Sequence, residues 1–204
     1  GLPEKDRRMP SAPVLPLSVG DSLEAILAEN TRLIEALREP ELAVALDNAA
    51  ATLRDASRVF VLGAGRSGLA LKMTAMRLMH LGLEVHVVGD VTTPAIAADD
   101  ALLVASGSGT TAGILRSANT AAEVGAAIVC LTTDGSSPLA ELAAVTVVVP
   151  AAQKQDHGGT RSAQYSGGLF EQGVVFVGDA LFHSLWLASG ATADELWPRH
   201  ANLE

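Results

Sequence analysis

Between Arg58 and Val149, short apolar runs alternate with stretches of helical periodicity, and no other feature restricts the fold as much. Val59 to Leu62, Glu84 to Val88, Ala101 to Ala105, Ala126 to Leu131 and Val145 to Val149 read as strands. Ser67 to Leu81, Thr111 to Val124 and Pro138 to Ala143 read as helices. A strand that is apolar at nearly every position is buried on both faces, and a parallel sheet with helical crossovers covers both. The expected fold class is therefore α/β, a three-layer α-β-α sandwich around a five-stranded parallel sheet.

The flanks fit around that unit. Residues 1–19 carry Pro3, Pro10, Pro13 and Pro16 without periodicity and read as an arm. Met9 as a native start would make Gly1 to Arg8 a cloning remnant. Residues 20–204 form one domain, opening with two extra helices. The first begins at Ser18 or Asp21 and runs to about Glu39, with Leu23, Ile26, Leu27, Leu33, Ile34 and Leu37 as its apolar stripe. Pro40 opens the second at a first helical position, and it ends near Ser57, with Leu42, Leu46, Ala49 and Leu53 as its stripe. One sheet face cannot use both stripes, so packing against another subunit is one use for them. Residues 150–168 read as a long loop, Leu169 to Ala188 as a long helix, and Ala193 to Trp197 as a short turn.

Open parallel sheets bind ligands beyond the carboxyl ends of their strands, where strand order reverses. Three strand ends here are small and polar: Gly63-Ala64-Gly65-Arg66-Ser67, the loop Ser106-Gly107-Ser108-Gly109-Thr110-Thr111, and Thr132-Thr133-Asp134. The second offers four hydroxyls and free backbone amides where a helix starts. Those are the components of a phosphate cradle. A hydroxyl-rich helix cap is the other reading of the same six residues. Residues 63–68 also spell G-x-G-x-x-G between a strand and a helix, with Asp90 placed like a ribose-binding acid. That dinucleotide reading leaves the loop at Ser106 without a task and finds no second substrate domain.

The net charge of −9 and the absence of a basic stripe argue against nucleic acid as a partner. An anionic ligand must then be held by local donors. Cys130, the single cysteine, sits in an apolar run and reads as a buried thiol. One cysteine and scattered histidines form no metal-binding spacing. No apolar stretch reaches the length of a membrane span, and no signal-peptide core is visible, so a cytoplasmic protein without membrane contact is expected.

Together, VFVLGAGRSGLALKMTAMRLMHLGLEVHVVGD, LLVASGSGTTAGIL, LTTDGSSPLAELA, GGLFEQ and RHANLE resemble a sugar isomerase (SIS) domain, and more narrowly the 6-phospho-3-hexuloisomerases. The likeness covers roughly residues 20–204, with LFEQ and RHANLE its specific parts. It implies a flavodoxin-like strand order and a homodimer or homotetramer with sites at subunit interfaces. It also implies conversion of D-arabino-hex-3-ulose 6-phosphate to fructose 6-phosphate, a step of formaldehyde fixation through ribulose monophosphate, with neither cofactor nor metal. The family's phosphate loop falls on Ser106, Gly107, Ser108, Gly109 and Thr111, and its substrate-contacting serine on Ser67. Its catalytic glutamate falls on Glu171 and its tail histidine on His200, the latter expected to reach a neighbouring subunit's site. Thr110 stands where these loops usually carry glutamate, and Gly168 where serine commonly precedes the LFE segment. Arg66 is assigned with Ser67 to sugar oxygens or the phosphate.

Moving a carbonyl from C3 to C2 needs a base for the C2 proton and donors for the enediolate charge. Glu171, near the start of the long helix, suits the first task. Without the resemblance, it reads first as a first-turn acid complementing the helix dipole. Of the other histidines, His80, His86 and His183 are expected in packing or surface roles, and His157 lies in the long loop. Other aldose–ketose phosphate isomerases of the same fold, and a non-catalytic phosphosugar sensor, are the alternatives.

Overall fold

The computed structural model describes residues 18–151 and 162–204. Most of the expected arm, residues 152–161 of the expected loop, and His157 lie outside the described residues. Within them run α1 (Val19–Leu37), α2 (Pro40–Asp55), β1 (Val59–Gly63), α3 (Gly65–His80), β2 (Val85–Val87) and β3 (Ala101–Ala105). There follow α4 (Ala112–Glu123), β4 (Ala127–Thr132), α5 (Pro138–Leu142), β5 (Val145–Val148), α6 (Gly168–Ser189), α7 (Ala193–Leu196) and a 3₁₀ turn over Trp197–Arg199.

The five strands are all parallel in the order β2-β1-β3-β4-β5, so the order reverses between β1 and β3. Side chains alternate between two cores, as a strand period of two requires. Val59, Val61, Leu103, Val129, Leu131 and Val147 face α2, α3, α6 and the C-terminal half of α1. Phe60, Leu102, Val104, Ile128 and Cys130 face α4 and α5. Burial alone pushes the Cys130 thiol up to about 12, so it behaves as a small apolar side chain. Strand β2 is shorter than its apolar run. As an edge strand it pairs only with β1, and Val88 turns away to hydrogen bond the Val61 carbonyl at 3.0 Å.

Local chemistry sets the helix ends. Ser18 and Asp21 form a capping box at α1, Pro40 occupies the first turn of α2, and Ser137 caps α5. Of the stripe expected on α1, Leu33 and Leu37 are buried among the described residues, whereas Leu23, Leu27 and Ile34 are exposed, as is Val19 at the start of the helix. The stripe on α2 is used as expected, with Ala49 and Leu53 fully buried and Leu42 and Leu46 packed against them. Among the described residues, no single helix is long and apolar enough to cross a membrane.

The connection from β2 to β3 contains no helix and is tied down by one charge pair. Asp100, 2% exposed, accepts from Arg58 Nε at 3.0 Å and Nη2 at 2.7 Å, and from the Ala97 amide at 2.7 Å. The hydrogen bond from Arg58, chiefly, holds the Asp100 carboxyl below its ordinary 3.8. A depressed carboxyl stabilises the fold above its unfolded-state value, and the contribution is lost as pH falls through the folded value. Asp100→Asn should therefore lower the urea midpoint at pH 7. The gap from the parent chain should close as pH falls below about 4 in a pH series of urea melts.

Candidate active site

Parallel strands place the N-termini of α3, α4 and α6 along one edge of the sheet. Each brings free amides and partial positive charge to that edge. In a chain of net charge −9, this is the local field an anion would meet.

The turn from β1 into α3 explains the G-x-G-x-x-G pattern without a dinucleotide. A Cβ on Gly63 would come within 2.8 Å of the Gly68 amide nitrogen, and one on Gly68 closer still to the Gly63 carbonyl. The first and third glycines let strand and helix backbones touch. Gly65 has φ of +55° and open space around it, so it supplies only the left-handed turn. Arg66 and Ser67 follow in the first turn of α3, with Arg66 exposed and Ser67 buried.

The loop from β3 into α4 is held in shape from beneath. The Gly107 carbonyl accepts from Thr132 Oγ1 at 3.1 Å, Thr133 Oγ1 at 2.7 Å and the Thr133 amide at 3.0 Å. Peptide planarity turns the Ser108 N–H the opposite way, out of the loop. Ser106 is buried; its Oγ accepts from the Gly109 amide at 3.1 Å and lies 3.2 Å from Thr111 Oγ1. Ser108 Oγ accepts from the Thr110 amide at 3.2 Å and the Thr110 hydroxyl at 2.9 Å. Gly109 has φ of +65° and is pressed onto Ser137, while its carbonyl accepts from the Leu139 amide at 3.1 Å. The amides of Gly107, Ser108 and Thr111 have no protein acceptor among the described residues.

Phe170 joins this loop to α6, its ring edge 3.3 Å from where a Cβ of Gly107 would stand. The next residue, Glu171, is in the first turn of α6, and its carboxylate takes a hydrogen bond and ion pair from Arg66 Nε. The Glu171 side chain is only 6% exposed, whereas that of Arg66 is 71% exposed. The carboxylate is thus buried within the protein and reached from the sheet edge through an exposed cation.

Helix α1 supports the approach to α6. Glu29 accepts from Ser162 Oγ, from the Ala163 amide at 3.1 Å and from Gln164 Nε2 at 3.4 Å. Asn30 Nδ2 donates to Gln172 Oε1 at 2.7 Å, and Gln164 and Gln172 exchange hydrogen bonds at 3.0 and 2.6 Å. Sequence reasoning missed Glu29 and Asn30. They lie 142 residues from Gln172 in the case of Asn30, and polar residues on an amphipathic helix carry no mark of a distant partner.

The site residues anticipated from sequence divide into two groups. Arg66, Ser67, the segment Ser106 to Thr111, and Glu171 all line one edge of the sheet. His200 does not join them within this chain. It contacts His80 at the far end of α3, and α3 places His80 roughly 20 Å along its axis from Arg66. His86 lies 3.0 Å from Glu84 and packs on Phe60, and His183 packs edge-on to Trp186.

The family model described as SIS domain matches residues 52–168. The chain is 63% identical over 147 residues to the 3-hexulose-6-phosphate isomerase of Mycobacterium gastri, covering 72% of this chain and 74% of that one. It is 35% identical over 159 residues to the enzyme of that name from Bacillus subtilis (strain 168), covering 78% and 86%. Among solved structures, a Methanococcus jannaschii protein matches with a TM-score of 0.78 at 27% identity, covering 90% of this chain and 99% of that one. That structure was reported as inferring a molecular function of 3-hexulose-6-phosphate isomerase.

The two kinds of glycine in the β1–α3 turn predict unequal costs. Gly65→Ala should lose about 1–2 kcal/mol for its left-handed backbone. Gly68→Ala, which meets backbone, should lose more than about 3 kcal/mol. Urea unfolding of the two variants reads both.

Proposed function

The chain belongs to the SIS domain family, and we propose that it interconverts D-arabino-hex-3-ulose 6-phosphate and fructose 6-phosphate by a proton-transfer mechanism at the sheet edge. Relatives named 3-hexulose-6-phosphate isomerase, one of them 63% identical, support that choice of substrate. The observation that carries the mechanism is the buried Glu171 carboxylate paired with an exposed arginine beside a loop of outward amides.

In this reading the loop from Ser106 to Thr111 and the N-terminus of α4 hold the phosphate. Binding there positions the sugar carbons and spends no contact on the reacting atoms. Glu171 takes the proton from C2, leaving a 2,3-enediolate, and returns a proton to C3. The O2 proton passes to O3, so the carbonyl moves from C3 to C2 with no net gain or loss. Arg66 serves two states. It compensates Glu171 before substrate arrives, and its guanidinium turns towards the enediolate oxygens once the base is needed. Ser67 contributes its hydroxyl to the sugar, and His200 donates an N–H to the enediolate.

For His200 to do so, the site must draw on two subunits, and the surface supports that arrangement. Leu69, Met73 and Met76 on α3 and Phe176 on α6 are exposed, and a groove of about 560 Å³ runs between these helices past Met73, Met76, Phe182 and His183. A two-fold axis near Met73 would run the α3 helices antiparallel and bring His200 of the partner subunit to the Arg66–Glu171 pair. The exposed apolar residues Val19, Leu23 and Leu27 on α1 offer a second contact face, through which two such dimers would form a tetramer.

Glu171→Gln should lower kcat by roughly 10²–10⁴-fold while phosphosugar binding survives. Ser106→Ala combined with Ser108→Ala should instead act mainly on KM. A Glu171→Gln variant with near-parental turnover overturns the base assignment. Sharing of the site makes a second prediction. Glu171→Gln and His200→Ala chains, each inactive alone, should regain turnover when unfolded and refolded together, because one of the two sites in a mixed dimer receives both intact residues. No recovery on mixing places His200 outside the site.

A further inference from the structure

The contacts around His200 constrain where its proton sits. Arg77 Nη1 lies 3.3 Å from His80 Nδ1, and a guanidinium can donate but cannot accept. His80 Nδ1 must therefore present its lone pair, and a neutral ring then carries its proton on Nε2. That nitrogen lies 3.3 Å from His200 Nδ1. Two N–H groups cannot face each other at that distance, so His200 Nδ1 accepts and its own proton is left on Nε2. The opposite side of His200 agrees, since the Glu204 carboxylate stands 4.0 Å from Nε2, where it favours an N–H.

The remaining neighbours fix the ring in space. Trp197 stacks on His200 with centroids 4.5 Å apart and planes 9° from parallel. Arg199 Nη1 donates to the His80 carbonyl at 3.0 Å, and its guanidinium packs over Gly82. His80 is buried, and burial, then the positive charge of Arg77 and the His200 ring, hold it below the ordinary 6.5. At neutral pH the relay from Arg77 through His80 to His200 thus runs through a neutral His80.

We propose that His80, oriented by Arg77, is a positioning residue that holds His200 as the neutral tautomer protonated on Nε2, so that His200 offers a substrate oxygen an N–H and not a lone pair. The inference deepens the reading of His200 as a donor to the enediolate and rests on it for its effect on turnover. The tautomer itself rests only on the contacts within this chain. No covalent change is required of either ring.

His80→Gln can place an amide N–H where Nε2–H stands, with its carbonyl towards Arg77. His80→Glu can only accept there while ionised, and so draws the His200 proton to Nδ1. Nitrogen-15 NMR of histidine-labelled, ligand-free protein, with His200 assigned from His200→Ala, should show an Nε2-protonated His200 in the parent and in His80→Gln. In His80→Glu, the Nδ1 of His200 should become protonated. On the hexulose phosphate, kcat should stay within about threefold for His80→Gln and fall roughly a hundredfold for His80→Glu, with KM close to the parent's and both variants shown by their melting curves to be folded at the assay temperature. A parent spectrum with His200 protonated on Nδ1 overturns the proposal. Equal kcat for the two variants, despite opposite tautomers, overturns its consequence for turnover. If His200→Ala alone turns over normally, the donor role assigned to His200 fails, and the spectrum still decides the tautomer.

Discussion

A carboxylate cannot be buried at the start of a helix without a compensating group, and here Arg66 supplies it. The pairing relates two helices that sequence separates by about a hundred residues. It requires the first turn of α3 to stand beside the first turn of α6. That placement in turn requires the backbones of Gly63 and Gly68 to touch. It also requires the residues before α6 to be held, which falls to Glu29, Gln164 and Gln172. The sheet edge, the glycine turn and the α1 helix all serve one geometry, in which a buried carboxylate meets solvent through an exposed arginine.

The fold was largely legible from sequence because each strand was a short apolar run and each helix had local punctuation. Ser18, Pro40 and Ser137 act within one turn of themselves, so their meaning is readable where they stand. The turn from Ser106 to Thr111 was legible as a hydroxyl-rich loop for a similar reason, since its hydroxyls bond within it, although its anchors at Thr132, Thr133 and Leu139 were not. The Arg66–Glu171 pair was not, although both residues were singled out. Nothing in either neighbourhood encodes the other's position across the sheet edge. The same holds for Asn30 with Gln172 and for His80 with His200, which are tertiary contacts between residues of ordinary local character. The stripe on α1 was legible as an apolar face, but its partner was not, for a different reason. Periodicity reports that a face is apolar but not what covers it, and of this stripe Leu33 and Leu37 are the ones buried among the described residues.

The G-x-G-x-x-G segment has a structural role here that does not depend on its usual ligand. Its glycines measure the distance between a strand and the helix that follows it. Any ligand that uses a tight β–α turn will select them, whether it carries one phosphate or two. What separates the alternatives lies elsewhere, in a second hydroxyl-rich loop and in an acid on a distant helix.

The Gly107 carbonyl, held by three donors from the end of β4, has a thermodynamic consequence. A peptide plane fixed in this way cannot rotate, so under the proposed phosphate-binding role the loop's outward amides would lose little conformational freedom on binding. The entropy of ordering the loop is lost at folding, along with that of the strands. In that role, affinity for a phosphate would reflect chiefly the exchange of water for amide and hydroxyl contacts. A substrate's inert end can then be gripped without the backbone having to rearrange around it.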